Sequence, residues 1–285
     1  MALPNQRVLI TGCSSGIGRA LAVEFHRRGH DVIATARRVE ALADLAEKGM
    51  STRALDVCDE GSIRQVIAGI SADGGGLDMV VNNAGYGAMG PVAELPMVEL
   101  RRQFETNVFG PVALIQACLP LLLASRSARV VNVGSVSGIL TTPFAGAYCA
   151  TKSALHSLSD ALRIELSPFG IDVITVQPGA IRSRFGDNAS AAVERTRNGD
   201  SLYAPVSEGI LARAQASQVR STPAEDMAGE LADKVLRARP PHTVRIGVGS
   251  RLMPFIRYAL PTRVRDFLMR RQFKLDRLAS HSSSR

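Results

Sequence analysis

Cysteine is scarce in this chain, and where it occurs it is scattered. Cys13, Cys58, Cys118 and Cys149 fall in unrelated segments, at no spacing that suits a metal site or a redox pair. They read as reduced, mostly packed thiols in a cytoplasmic protein, and no metal is expected. No uninterrupted apolar run reaches bilayer-spanning length. The longest, 111–124, is broken by Gln116 and Pro120 and reads as a buried helix. A signal peptide is not expected, because Arg7 and a strand-like run follow the start almost directly. Internal repeats are lacking, and so is any nucleic-acid-binding motif, so nucleic acid is not expected as a partner.

What is present is a regular alternation. A chain of 285 residues suits one large domain, or a domain with an extension, and can bury a substantial core. Strands are predicted at 7–11, 31–35, 51–55, 78–82, 128–134, 171–177 and 243–248. Helices are predicted at 17–28, 39–48, 60–71, 97–124, 147–167 and 223–238. The strand segments are mostly continuous apolar runs, which implies burial on both faces. That pattern argues an α/β fold: a Rossmann-type, doubly wound parallel sheet of about seven strands, with helices on both faces. Ligands of such sheets bind beyond the carboxyl ends of the strands. Gly74 to Gly76 read as a loop, and the polar tail from Ala279 as a frayed end. Residues 179–222 have weak periodicity and read as a mobile, partly helical segment over the site.

The first strand runs directly into Thr11-Gly12-Cys13-Ser14-Ser15-Gly16-Ile17-Gly18, and a helical pattern follows, ending at Gly29. Strand, glycine turn and helix is the context a dinucleotide site requires. Glycines let the backbone approach a pyrophosphate, and the helix N-terminus offers free N–H groups. The spacing is G-x-x-x-G-x-G, and a plain tight turn is the alternative reading. After the second strand, where an NAD site would place an acid for the ribose 2′-hydroxyl, the chain has Ala36, Arg37 and Arg38. A missing carboxylate and a nearby guanidinium favour NADP(H) over NAD(H). The alternative is that both arginines merely open the next helix.

Tyr148 and Lys152 are four apart on a predicted helix and so share a face. An ammonium beside a phenol favours the phenolate and lowers its pKa, which makes a proton donor and acceptor near neutral pH. By itself the pair reads first as a coincidental Tyr/Lys pair on a solvated helix face, and the rest of the chain reverses that.

The motifs taken together resemble the short-chain dehydrogenase/reductase (SDR) superfamily over roughly residues 7–250. The matching pieces are Thr11 to Gly18, Asn82-Asn83-Ala84-Gly85, Asn107, Asn132 to Ser135, Tyr148-x-x-x-Lys152 and Pro178-Gly179. In detail the chain looks like the 17β-hydroxysteroid and retinol dehydrogenase-like branch. The resemblance implies an SDR catalytic domain over 1–250, with 179–222 as its substrate-loop region. It implies that Tyr148 is the general acid/base and that Lys152 bonds the nicotinamide ribose and lowers the Tyr148 pKa. Ser135 would bond the substrate oxygen, and Asn107 would hold a water linking Lys152 to a proton relay. Gly12, Ser14, Ser15, Gly16, Ile17, Gly18 and Arg37 would bind the adenosine phosphates. Asp56 and Val57 would face the adenine, and Asn83, Ala84 and Gly85 would line the adenosine side, with Asn82 bracing the sheet. Pro178, Gly179, Ile181 and Ser183 would contact the nicotinamide half.

Substrate contacts are expected from Ser135, Phe144, Tyr148 and Phe185. With Ile139, Leu140, Pro143, Tyr86 and Met89 they suggest an apolar pocket for a hydrophobic, lipid-like ketone or secondary alcohol: steroid, retinoid, long-chain acyl ketone or acyl-dihydroxyacetone phosphate. Ordinary packing of loop residues is the alternative. His26 and His156 have no expected role. Helices 97–124 and 147–167 are apolar enough to pair in a homodimer or homotetramer.

Charge is uneven. Between Arg251 and Leu278 there are eight Lys/Arg and two Asp, so +6 of the chain's +8, interleaved with large apolar residues. Residues 251–285 therefore form a basic amphipathic C-terminal extension, in two pieces divided at Pro254 and Pro261. It suits either a peripheral membrane contact through 251–278 or a helical extension packed on the body with its arginines outward. The expected function is an NADP(H)-dependent oxidoreductase. An NADP(H)-binding regulator or sensor without turnover is the alternative from another class, and a membrane-anchored scaffold built on the extension is a second.

Overall fold

The computed structural model describes residues 5–74, 76–196 and 200–278. Seven strands form one sheet: β1 (Arg7–Ile10), β2 (Asp31–Ala36), β3 (Ser51–Ala54), β4 (Met79–Asn82), β5 (Arg129–Val133), β6 (Asp172–Pro178) and β7 (Thr243–Ile246). Their order is β3-β2-β1-β4-β5-β6-β7, and every pairing is parallel. The order reverses between β1 and β4, so a crevice opens at their carboxyl ends.

Successive strand residues point to opposite faces. Val8 and Ile10 of β1 enter one core with Leu21 and Phe25 of α1 (Gly16–Arg27) and Met227, Leu231 and Val235 of α9 (Ala224–Val235). Leu9 enters the opposite core, with Ile63, Val66 and Ile70 of α3 (Glu60–Ala72) and Leu114, Cys118 and Leu122 of α5 (Gly110–Leu123). Burial on both faces is why the inner strands are mostly apolar, whereas the edge strands β3 and β7 are exposed or alternate. Of the expected helix 39–48, the first part is a 3-10 turn, and α2 covers Ala43–Glu47.

The expected single helix over 97–124 has an internal irregularity. It comprises α4 (Met97–Phe104), a π-helical turn (Glu105–Phe109) and α5. The span Met97–Leu123 is long and apolar enough to cross a bilayer, contrary to the expectation from uninterrupted runs alone. Its inner face is nevertheless core, because Leu114, Ile115, Cys118 and Leu122 are buried against the sheet. The longest uninterrupted α-helix is α6 (Gly146–Leu166).

Residues 179–222 contain α7 (Phe185–Thr196) and α8 (Ser207–Gln215). The extension does form two pieces, α10 (Leu252–Ala259) and α11 (Thr262–Gln272). Pro254 sits in the first turn of α10, where its missing N–H costs nothing, and so does not break it. Pro261 occupies the N-cap position of α11. Past α11 the chain turns inward: Phe273 is buried in a cluster with Phe144, Tyr148 and Ile210, with Met269, Leu275 and Leu278 against it. Lys274 adds an ion pair to Glu208 of α8 at 3.4 Å. Leu252, Phe255, Tyr258, Phe267 and Leu268 stay exposed. Gly75 and the tail from Ala279 lie outside the described residues.

Candidate active site

The end of β1 delivers Gly12 with φ +75° and Gly16 with φ +59°, a left-handed backbone that favours glycine. A Cβ on Gly16 would lie 2.8 Å from the Ser183 Cβ, so the glycine turn and the segment after β6 face each other closely. Arg184 spans the same gap, its Nη2 donating to the Ser14 carbonyl at 3.2 Å. Thr11 fixes the next wall: its Oγ1 accepts the backbone N–H of Asn83 and of Ala84, each at 2.9 Å. Asn83 returns a side-chain bond to the Thr11 carbonyl at 2.8 Å. Asn82 donates to Asn132 at 2.8 Å, and Asn132 to Ser159 at 2.9 Å, tying β4 and β5 to α6.

These elements enclose a cleft of about 1180 Å³. Its walls include Gly12, Ser14, Ser15, Gly16, Ile17, Arg37, Asp56, Val57, Asn83, Ala84 and Gly85. Ser135, Tyr148, Lys152, Pro178, Gly179, Ile181, Ser183 and Phe185 line it too, with Ser183 against the glycine turn and Phe185 beside Tyr148. The glycine turn, the uncapped N–H groups of α1 and the exposed Arg37 form a cradle that fits a phosphorylated dinucleotide. Three expected site residues stand behind the wall. Gly18 is packed so closely on the Gly12 carbonyl that a Cβ there would lie 2.6 Å from it. Asn107, on the π turn, donates to the Tyr86 carbonyl at 2.9 Å and to Thr151 Oγ1 at 3.1 Å, and accepts the Tyr86 N–H at 3.1 Å. Phe144, with φ +65°, turns its ring edge-on to Tyr203 and Phe273, at 6.2 and 6.0 Å between centroids. It therefore supports the pocket from the apolar cluster rather than facing the cleft.

Tyr148 and Ser135 both line the cleft, and the Phe185 ring lies 5.2 Å from the Tyr148 ring. The expected lowering of the phenol is not what the structure shows. Burial pushes Tyr148 up to about 12, opposed by the Ser135 hydroxyl and then by the charge of Arg213. Lys152 Nζ is 5.9 Å from the Tyr148 ring centroid and donates to the Val133 carbonyl at 2.8 Å. Burial pushes Lys152 down to about 8. Desolvation of two side chains inside the wall outweighs their mutual effect.

Two residues without an expected role join the site. His156 is one turn beyond Lys152 on α6, and its Nε2 accepts the Ser135 N–H at 3.3 Å. Burial, with the Lys152 charge second, lowers it to about 4, so it is a neutral acceptor steadying the end of β5. The four-residue spacing from Lys152 was the available signal. Arg213 of α8 enters the Tyr148 end of the cleft. It lies in the weakly periodic stretch 179–222, where no pattern marked it. Burial pushes Cys13 and Cys118 up to about 12, consistent with inert packed thiols, whereas Cys58 is exposed. Among the described residues, no cluster of His, Cys, Asp or Glu could hold a metal.

Comparison with known proteins agrees with this geometry. The family profile described as short chain dehydrogenase matches residues 6–194. A Schizosaccharomyces pombe protein named NADPH-dependent 1-acyldihydroxyacetone phosphate reductase is 36% identical over 211 residues, 72% of this chain and 70% of its own. The crystal structure of a short-chain dehydrogenase from Streptomyces avermitilis superposes with a TM-score of 0.77 at 31% identity, covering 98% of this chain and 99% of that one. A Burkholderia phymatum short chain dehydrogenase/reductase in complex with NAD gives 0.73 at 25% identity, covering 85% and 90%.

Proposed function

Because the chain belongs to the short-chain dehydrogenase family of oxidoreductases acting on CH–OH and C=O groups, we propose that it is an NADP(H)-dependent reductase of a hydrophobic or lipid-like ketone. The carrying observation is that Ser135, Tyr148 and Lys152 line the same cleft as the glycine turn. The nicotinamide supplies the hydride when bound. Ser135 and Tyr148 converge on the substrate oxygen, where negative charge develops as the hydride arrives at carbon, and donors already in place stabilise it. Tyr148 then releases its proton to that oxygen and completes the alcohol. The reverse order applies to oxidation. Lys152 holds the ribose side, and His156 fixes the Ser135 backbone. Asn107 links the loop after β4 to α6 and would hold the relay water.

NADP(H) is favoured because Ala36 is buried and Arg37 stands exposed at the cleft rim, in place of an acid. The lipid-like substrate is favoured by Leu140, Phe185 and Phe273 along the Tyr148 end. Steroids, retinoids and acyl ketones all fit that description, and the named activity of the fission yeast relative makes acyl-dihydroxyacetone phosphate a first substrate to try. A sensor without turnover would not need Ser135, Tyr148 and Lys152 assembled on one cleft. A screen of purified protein against these classes, with NADPH and NADH and absorbance as readout, tests the reading. NADPH consumption with a ketone is expected; absence of turnover across all classes overturns it.

Two placements accompany this reading. Exposed Leu252, Phe255, Tyr258, Phe267 and Leu268, among outward arginines, favour a cytoplasmic enzyme that touches anionic membrane through 251–278. Exposed Phe109, Leu123, Leu158 and Ile164 on the long helices favour a homodimer or homotetramer.

A further inference from the structure

Arg213 is the cation at the Tyr148 end of the cleft for which the proposed chemistry has no use. Its Nε donates to Thr142 Oγ1 at 2.7 Å and its Nη2 to Ser137 Oγ at 3.4 Å. Both partners are neutral hydroxyls, and both residues line the cleft. Among the described residues no carboxylate pairs with it. Other shielded arginines differ: Arg28 pairs with Glu24 at 2.7 Å and Asp233 at 2.7 Å, and Arg129 donates to two carbonyls and approaches Asp172 at 3.7 Å.

A guanidinium set into a wall without an anion is costly, and burial accordingly pushes Arg213 below its ordinary value. The acids that feel its charge are the Tyr148 phenol and the Cys149 thiol, both shifted upward by burial and so neutral. The charge is left without compensation by the protein. A guanidinium has five N–H donors, and the two bonds above leave donors free for two oxygens of an oxyanion. Thr142 and Ser137 hold the fork in place. The same end of the cleft carries Leu140, Phe185 and Phe273, which suit a hydrocarbon chain.

We infer that Arg213 binds an oxyanion on the substrate, a carboxylate or a phosphate, so that the enzyme prefers amphipathic anionic ketones to neutral ones. This deepens the reductase reading and rests on it. The test uses two matched pairs with NADPH: a keto fatty acid and its methyl ester, and an acyl-dihydroxyacetone with and without its phosphate. The wild-type KM should be at least about ten-fold lower for the charged member of one pair, and which pair shows it identifies the oxyanion. In Arg213→Gln the charged-to-neutral ratio should collapse toward one, and Arg213→Lys should restore part of it. If both members weaken equally in Arg213→Gln, or the wild type shows no preference for charge, the inference is overturned while the reductase reading stands.

A second readout does not depend on turnover. Decanoate or decyl phosphate should raise the melting temperature of the wild type and not that of Arg213→Gln, once circular dichroism shows the variant folded. Equal shifts in both proteins, or no shift of the wild type with either amphiphile, count against the Arg213 site. Absence of turnover of every ketone, with that stabilisation intact, would instead locate the failure in the reductase reading.

Discussion

Lys152 donates to the carbonyl of Val133, two residues before Ser135, and not to the Tyr148 phenol. The lysine thus braces the strand end that presents the serine. Its ammonium is held by one neutral acceptor inside the wall, and burial brings its pKa to about 8 while Tyr148 is pushed up to about 12. The tyrosine therefore keeps its proton throughout the working range and can act as an acid. The lysine is the group that titrates first. For ketone reduction we expect kcat/KM to be level below pH 7 and to decline above about 8, as Lys152 loses its charge. A pH series in the reductive direction checks this. A profile flat to pH 10 would show that the charge is not used.

The same shift has a consequence for stability. Folded Lys152 titrates near 8 and an unfolded lysine near 10.5, so between those values the unfolded chain binds more protons and stability rises with pH. Below pH 8 the cost of burying the charge is fully present. Lys152→Met removes the charge, keeps the bulk and loses one hydrogen bond. We expect it to stabilise the fold by about 1–3 kcal/mol at neutral pH while abolishing turnover. Thermal melts at pH 7 and pH 10 should differ less for the variant than for the wild type.

Tyr148→Phe deletes the proton donor and leaves the ring in its contact with Phe185. The rate of ketone reduction should fall at least about 100-fold, the low end of general acid catalysis. NADPH binding, followed by fluorescence, should persist. Turnover near the wild-type rate would sink the mechanism.

Much of this was legible before the fold was known. The inner strands announced themselves because both faces of the sheet are covered there, so Val8, Leu9 and Ile10 had to be apolar in succession; the edge strands β3 and β7 are exposed or alternate and carry a weaker signal. The cleft residues were legible where backbone geometry demands a residue type, as at Gly12 and Gly16. The π turn at Asn107 was not, because hydrophobic periodicity hardly changes when one residue is added to a turn. The packing of Phe144 was not legible, because its ring partners, Tyr203 and Phe273, come from distant stretches of chain. Arg213 was invisible because its partners, Ser137 and Thr142, come from a distant stretch of chain.

Arg37 can be tested by reversing its charge. Arg37→Asp removes a charge-assisted contact to a 2′-phosphate and supplies an acceptor for a 2′-hydroxyl. The residue is exposed at the rim, so the fold should not suffer. The ratio of catalytic efficiencies with NADPH and NADH should fall by at least about ten-fold, one charge-assisted bond's worth. An unchanged ratio would make Arg37 a surface residue, and Arg38→Asp would then be measured in the same way.

The extension combines two faces that can be separated by mutation. Its inner residues, Phe273 above all, close the apolar end of the cleft. Its outer residues, Phe255, Tyr258 and Phe267, are 65%, 79% and 58% exposed. Each basic residue near an anionic bilayer contributes up to about 1 kcal/mol, and the exposed rings can then enter the interface. Full-length protein should sediment with phosphatidylserine vesicles, and salt should release it. Phe255→Ser with Phe267→Ser should weaken sedimentation without disturbing cofactor binding, because neither side chain touches the cleft. Deleting 251–285 should abolish sedimentation and also raise KM for apolar substrates, since Phe273 goes with it. If the full chain shows no salt-sensitive vesicle binding, the extension serves only to close the pocket. The +6 of residues 251–278 would then be a solvated helix surface.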